Sequence, residues 1–464
     1  MEQIDERVQL LNDKSVNPDG RYVLYWMQMF KRAQYNHALN YAIRQANERD
    51  LPLVVYEGLK YYSPWASDRI HTFILEGVEE KRRAFEKLGI KYIFYLQKDD
   101  DSPKQVVAKL AKEAALLVTD DFPCFIIPKH NAAIARKASI PVYAVDSNGV
   151  IPLSRFEKEE YAAYTIRPKI KKILHEYLKP FAEEKIKIKA SGLKVDCPNT
   201  EISNKNIARL VAGCAIDHAV KPSPVYHGGT ANGRKRLKMF LAEILPDYTK
   251  ARNKPERDGS SRLSAYLHFG FLSPLEIALA VKDSKAPQDA KDAFLEELIV
   301  RRELSYNLTR FNKDYDSLRA LPDWVHKTMR EHIDDKRESI YSLEQLEAGE
   351  TADELWNAAQ REMLATGEIH NYVRMLWGKN VIGWTRSYEE AFETLVHLNN
   401  KYCLDGRNPN SYAGILWCFG KHDRPWMKRQ VFGKMRYMTS ASTGKKFDSR
   451  KYIEWTKTLA GLEI

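Results

Sequence analysis

Short apolar runs alternate with amphipathic stretches through the first third of the chain. Tyr22–Met27, Leu51–Glu57, Lys91–Leu96, Ala115–Asp120 and Pro141–Asp146 have the length and apolar density of strands. Between them, Arg32–Glu48, Ile70–Leu88 and Pro103–Glu113 carry a helical period. Strand and helix in alternation predict βαβ units and a mostly parallel, Rossmann-like sheet. No GxGxxG follows the first strand, so no dinucleotide fingerprint is read there.

From Ser154 to Asn206 the periodicity loosens into lysine-rich sequence, with helical character at Lys169–Phe181. From Ile207 onward nearly every periodic segment reads as helix: Gly233–Glu243, Pro274–Val281, Ala290–Arg310, Ala352–Thr366, Ile369–Gly383 and Tyr388–Leu398. The expected organisation is an α/β domain over residues 1–153, a connection over 154–206 and an all-helical domain over 207–464. A chain of 464 residues is long enough for two or three cores.

Composition narrows the class. No apolar run approaches the roughly 20 residues that cross a bilayer, and the polar start lacks a secretory pattern. The five cysteines are scattered without a CxxC pair, which predicts neither a metal site nor a disulfide framework and suits a reducing cytoplasm. A formal charge of +11 favours a polyanionic partner, nucleic acid first, although a basic surface alone carries no proof of one. A monomer is the default expectation.

Five constellations bear chemistry. In Asp258–Gly270, a glycine and three hydroxyls precede an apolar stretch; such a turn binds phosphate or simply caps a helix. On the helix through Phe294–Leu304, Glu297 and Arg301 stand one turn apart and are expected to pair, as a functional couple or as a solvated face. Trp377 and Trp384 are two turns apart, separated by about 10 Å along a helix axis, which with Trp356 suits stepwise electron transfer or a packed stripe. The Asn- and Asp-rich stretch Leu398–Trp417 reads as a long loop, functional or connecting. Cations including Arg424 and Arg429 interleave with Trp426, Phe432, Tyr437 and Phe447 near the end of the chain, a pattern for nucleic acid or for a solvated basic face.

Several of these segments, taken in order, resemble the class II cyclobutane pyrimidine dimer photolyases of the cryptochrome/photolyase family. The stretches are Glu160–Pro168, Ser261–Gly270, Phe294–Leu304, Leu355–Gln360, Val373–Trp377, Asn399 with Leu404–Arg407, and His422–Trp426. The resemblance implies FAD folded inside the helical domain, with Ser260, Ser261, Leu263 and Ser264 at its phosphates and Arg301 on that side. It implies Asn399 at the flavin N5 and an Arg374–Asp405 pair beside the ring, where a cation stabilises reduced anionic flavin. It further implies light-driven splitting of a pyrimidine dimer flipped out of DNA. Glu297 would bond the dimer, Trp417 and Met375 would contact it, and Arg252 and Asn253 would lie near the lesion or its phosphates. Trp377, Trp356 and Trp384 would re-reduce the flavin. Val300 and Arg301 stand where some photolyases carry a second stacking Trp, and the divergent N-terminal part leaves open a deazaflavin antenna, a methenyltetrahydrofolate antenna or none. A cryptochrome-like photoreceptor is the alternative on the same scaffold, and a flavin-free nucleic-acid-binding protein the alternative from another class.

Overall fold

A computed structural model describes residues 5–459. Six strands, β1 (Val8–Leu10), β2 (Tyr22–Trp26), β3 (Leu53–Lys60), β4 (Lys91–Gln97), β5 (Ala114–Asp120) and β6 (Val142–Val145), form one sheet in the order β1-β6-β5-β2-β3-β4. All neighbours run parallel except β1 against β6. The strand-like runs become strands because both faces are covered. On β2, Val23 and Tyr25 enter one core while Tyr22, Leu24 and Trp26 enter the other. Edge strand β1 and the helix Ile127–Lys137 are additions to the sequence reading.

The stretch expected as one helix over Ile70–Leu88 is two, Asp68–Glu76 and Val78–Leu88. They meet at Gly77, whose backbone lies so close to the Phe271 ring that a Cβ would collide with it. The break lets this layer pack directly against the helical part. The connecting region is docked along its length. Its helix spans Ala163–Tyr177, and the following strand-like chain lies against the sheet domain through Ala190 N–H to Gly89 O (2.8 Å) and Thr200 N–H to Phe94 O (2.6 Å).

From Ile207 the described chain is helical, apart from turns and two isolated bridges, Asp217 to Ser67 and Arg429 to Gly433. Its largest core gathers Trp356, Met363, Leu376, Trp377, Leu395 and Leu416. Arg69 joins the two parts. It is buried without a carboxylate, and its guanidinium donates to the carbonyls of Met363 (3.1 Å), Leu364 (2.5 Å) and Tyr402 (2.9 Å). Those carbonyls close the helices Glu354–Thr366 and Tyr388–Tyr402, where a cation complements the helix dipole. No helix among the described residues is long and apolar enough to cross a membrane, and no cluster of metal-ligating side chains occurs among them.

Candidate functional site

The helix Asn371–Trp384 begins with His370 as its cap, Nδ1 accepting from Tyr372 N–H at 3.2 Å. One turn in, Arg374 meets Asp405 in a two-pronged contact, with both N···O distances 3.1 Å. Burial pushes the Asp405 carboxyl up, but the Arg374 charge and hydrogen bonds from Arg374 and Ser264 outweigh it and hold the group below its ordinary value. Asn399, almost fully buried, is drawn toward this part of the chain because it doubles back at Gly406, the residue after Asp405, where a Cβ would stand 2.7 Å from Asn399 O.

A second cation, Arg262, is buried and adjoins the first. It contacts Asp258 (2.8 Å), Glu362 (2.9 Å) and Glu368 (3.8 Å). Its backbone is left-handed (φ 54°), which sets the turn leading into the short helix Ser264–His268. Leu263 stands at the cap of that helix without a side-chain bond, so Ser260, Ser261 and Ser264 are not spent on capping. Arg236 holds the carbonyls of Ser260 (3.1 Å) and Ser261 (2.8 Å), and Ser264 Oγ reaches Glu368 at 3.5 Å. Three buried nitrogens in this region, Arg262 Nη1, Arg374 Nε and His370 Nε2, have no hydrogen-bond partner among the described residues. Unpaired buried donors beside freed hydroxyls suit a ligand rich in phosphate and carbonyl oxygens, and FAD fits that donor set.

Glu297 and Arg301 do not pair. Residues 296–301 form a π-helical turn, in which residues five apart align, so Arg301 stands over Glu296 (3.5 Å). Glu296 also takes Arg167 at 2.6 Å. Glu297 pairs instead with Arg252 at 3.0 Å, and the Arg252 guanidinium lies 5.7 Å from the Tyr248 ring centre. Arg301 is exposed, and its contact is to Glu296, with none to the Ser260–Ser264 turn. Asn253 is exposed beside Arg252, while Met375 and Trp417 are half-buried on the packed helices Asn371–Trp384 and Pro409–Cys418. Arg424 and Arg429 are exposed on the loop after that second helix.

The three tryptophans converge. Trp356 stacks on Trp377 with ring centres 6.3 Å apart and planes 7° from parallel. Its other neighbour, Trp384, meets it edge-on at 5.6 Å. Trp356 and Trp377 are buried and Trp384 is half-exposed, so the series leads from the core to the surface. Trp377 Nε1–H donates to Gln360 Oε1 and Trp356 Nε1–H to Trp377 O, each at 2.9 Å.

A family model described as DNA photolyase matches residues 23–186. The chain is 39% identical over 451 residues to the deoxyribodipyrimidine photo-lyase of Methanothermobacter thermautotrophicus, covering 97% of each chain. It is 37% identical to that of Arabidopsis thaliana, covering 97% of this chain and 91% of the relative. This chain belongs to the photolyase/cryptochrome family. Its fold also matches a Synechocystis cryptochrome with a TM-score of 0.72 at 17% identity, over 97% of this chain and 91% of that one.

Two parts of this photolyase-family site escaped the sequence reading. Arg262, Glu362 and Glu368 form a buried charge cluster that no local pattern marks, although Arg262 lies inside a quoted stretch. The other part is a cleft of about 600 Å³ at the carboxyl edge of the sheet. Trp26, Tyr56, Tyr95 and Gln97 line it, with Lys60 and Lys104 also on its wall. Such edges, where strand order reverses, are the ligand sites of open α/β sheets. His130 stacks on Trp26 at 5.8 Å, and burial pushes its imidazole down to about 4. His71 (both ring nitrogens), Tyr95 Oη and Gln97 Nε2 are buried in the wall without partners.

Proposed function

We propose that this protein is a light-driven DNA lyase of the class II type that splits cyclobutane pyrimidine dimers with reduced FAD. The observation that carries the reading is the partly buried Arg374–Asp405 pair near Asn399, with a tryptophan series leading from the same helix to the surface. A partly buried guanidinium held by one carboxylate supplies the positive field that a reduced anionic ring requires. The names of the near-full-length relatives support deoxyribodipyrimidine substrates, and the class rests on the sequence stretches quoted above.

FAD, when bound and reduced, supplies one electron to the dimer under blue light and takes it back after the ring opens. The chain does the rest. Ser260, Ser261, Ser264 and the Arg262 backbone turn hold the phosphates, and Arg374 and Asn399 face the ring. Glu297 hydrogen-bonds the flipped dimer, and Met375 and Trp417 shield it from water. Arg252 occupies Glu297 while DNA is absent; a phosphate competes for its guanidinium, and release frees Glu297 for the lesion. Trp377, Trp356 and Trp384 pass electrons inward, and neither Gln360 nor the Trp377 carbonyl is a base able to take the indole proton. The cleft at the sheet edge takes a planar antenna chromophore, deazaflavin or methenyltetrahydrofolate, between Trp26 and the unpaired polar groups of its wall. Chromatography of a thymine-dimer oligonucleotide after incubation tests the reading: dimer disappears under blue light and persists in the dark, and persistence in both overturns it.

A further inference from the structure

The charge cluster around Arg262 is unevenly matched. Asp405 takes both arms of the Arg374 fork. Glu362 has Arg262 at 2.9 Å, and it accepts from the Tyr452 hydroxyl (2.6 Å) and from His370 N–H (3.1 Å). Asp258 holds Arg262 at 2.8 Å, but its side chain is 54% exposed and water screens it. Glu368 is buried and has less than any of these. Arg262 Nη1 stands 3.8 Å from it, too far for a hydrogen bond, and Ser264 Oγ lies 3.5 Å away, at the limit of one. The Tyr226 hydroxyl also faces it.

Nothing else near Glu368 compensates it. Burial pushes His370 down to about 3, so that ring stays neutral. Burial likewise raises Tyr266 to about 12, and Tyr226 and Tyr452 well above the ordinary phenol value, so all three keep their protons. Burial pushes the Glu368 carboxyl itself up; Arg262 opposes this, the nearby Asp405 charge adds to it, and Tyr226 and Arg374 oppose it more weakly. An anion drawn to the Ser260–Ser264 turn finds Arg262 Nη1, the cationic donor there that has no hydrogen-bond partner among the described residues. The same nitrogen is the one that faces Glu368. Two anions sharing one buried donor do not both stay charged. The diphosphate of a dinucleotide is too acidic to accept a proton at neutral pH, whereas a carboxyl already raised by burial accepts one.

We propose that Glu368 takes up a proton when the flavin nucleotide binds, and serves its diphosphate side as a neutral hydrogen-bond donor. The inference rests on the reading of the Ser260–Ser264 turn as the phosphate site, and it adds a cofactor-binding residue that local sequence pattern does not mark.

The test is equilibrium dialysis of the flavin-loaded full chain in the dark, between roughly pH 6 and 8.5, with released FAD read by its fluorescence. Uptake of one proton makes FAD affinity fall by up to about tenfold per pH unit over part of this range. Glu368→Gln resembles the neutral acid and cannot titrate. Its affinity is expected to change little with pH and to match or exceed the wild type at the alkaline end. A flat profile in the wild type, or the same slope in both proteins, overturns the proposal. A second measurement needs no variant: the infrared difference between flavin-loaded and flavin-stripped wild-type chains near pH 8 is expected to gain a protonated-carboxyl stretch, and a difference without one overturns the proposal even where the variant fails to fold. A chain that holds no flavin at any pH refutes the FAD reading itself, whereas FAD bound with pH-independent affinity refutes this inference alone.

Discussion

Arg374, its side chain 25% exposed, has Asp405 as its one carboxylate partner among the described residues. Removing one member of such a pair leaves an uncompensated charge, whereas removing both leaves none. Arg374→Leu is therefore expected to lower stability by about 1–3 kcal/mol in urea unfolding, and the Arg374→Leu/Asp405→Leu double variant to lose clearly less than the sum of the singles. Glu297 differs, because it and Arg252 are each about a third exposed. Glu297→Ala is expected to cost less than about 1 kcal/mol of stability, to keep flavin bound, and to lower the yield of repair by reduced protein. An unchanged yield removes its assigned role. Neither partnership can be read from spacing. Arg374 and Asp405 are 31 residues apart, so only the family resemblance joins them, and the one pair that helical spacing does suggest, Glu297 with Arg301, is undone by the π turn.

Helices fix the order of the tryptophans. Asn371–Trp384 carries Trp377 and Trp384 on one side, and Glu354–Thr366 inserts Trp356 between them. Trp377→Phe is expected to abolish photoreduction of bound oxidised flavin, followed by absorbance under blue light with an external reductant, while chemically reduced protein still splits dimers. Normal photoreduction in that variant rules the route out. At this scale the sequence was largely legible. Runs such as Ala114–Val118 are buried on both faces and so read as continuous apolar strand. The helical stripes of the second half persist because their apolar faces are buried in two cores. Strand β1 was not legible: it has three residues, and Gln9 and Leu10 face solvent. The break at Gly77 was equally hidden, since its cause is Phe271, nearly two hundred positions away.

Between the two parts of the molecule lies a seam of buried charge. Glu303 sits on the helix Arg302–Phe311, with Oε1 accepting from Ile151 N–H at 3.2 Å and Oε2 unpaired. Burial pushes its carboxyl up to about 7, with Arg302 opposing. Folded protein then keeps a proton that the unfolded chain has released above its ordinary value near 4.5, so stability falls as pH rises from there to about 7. The effect is on the order of 3 kcal/mol. Glu303→Gln is expected to flatten this part of the stability–pH profile in urea unfolding; an identical slope in both proteins contradicts the assignment. The cleft at the sheet edge belongs to the same scale. Its walls come from the ends of three strands and the segments beyond them, so no stretch of sequence announces it. The central claim is chemical, and one assay addresses it: fully reduced protein, anaerobic, with oligonucleotides carrying either a cyclobutane thymine dimer or a (6-4) photoproduct, under blue light and in darkness. The account predicts restored thymines from the cyclobutane dimer in light alone. Bound, reduced flavin with no repair, or repair of the (6-4) product instead, would contradict it.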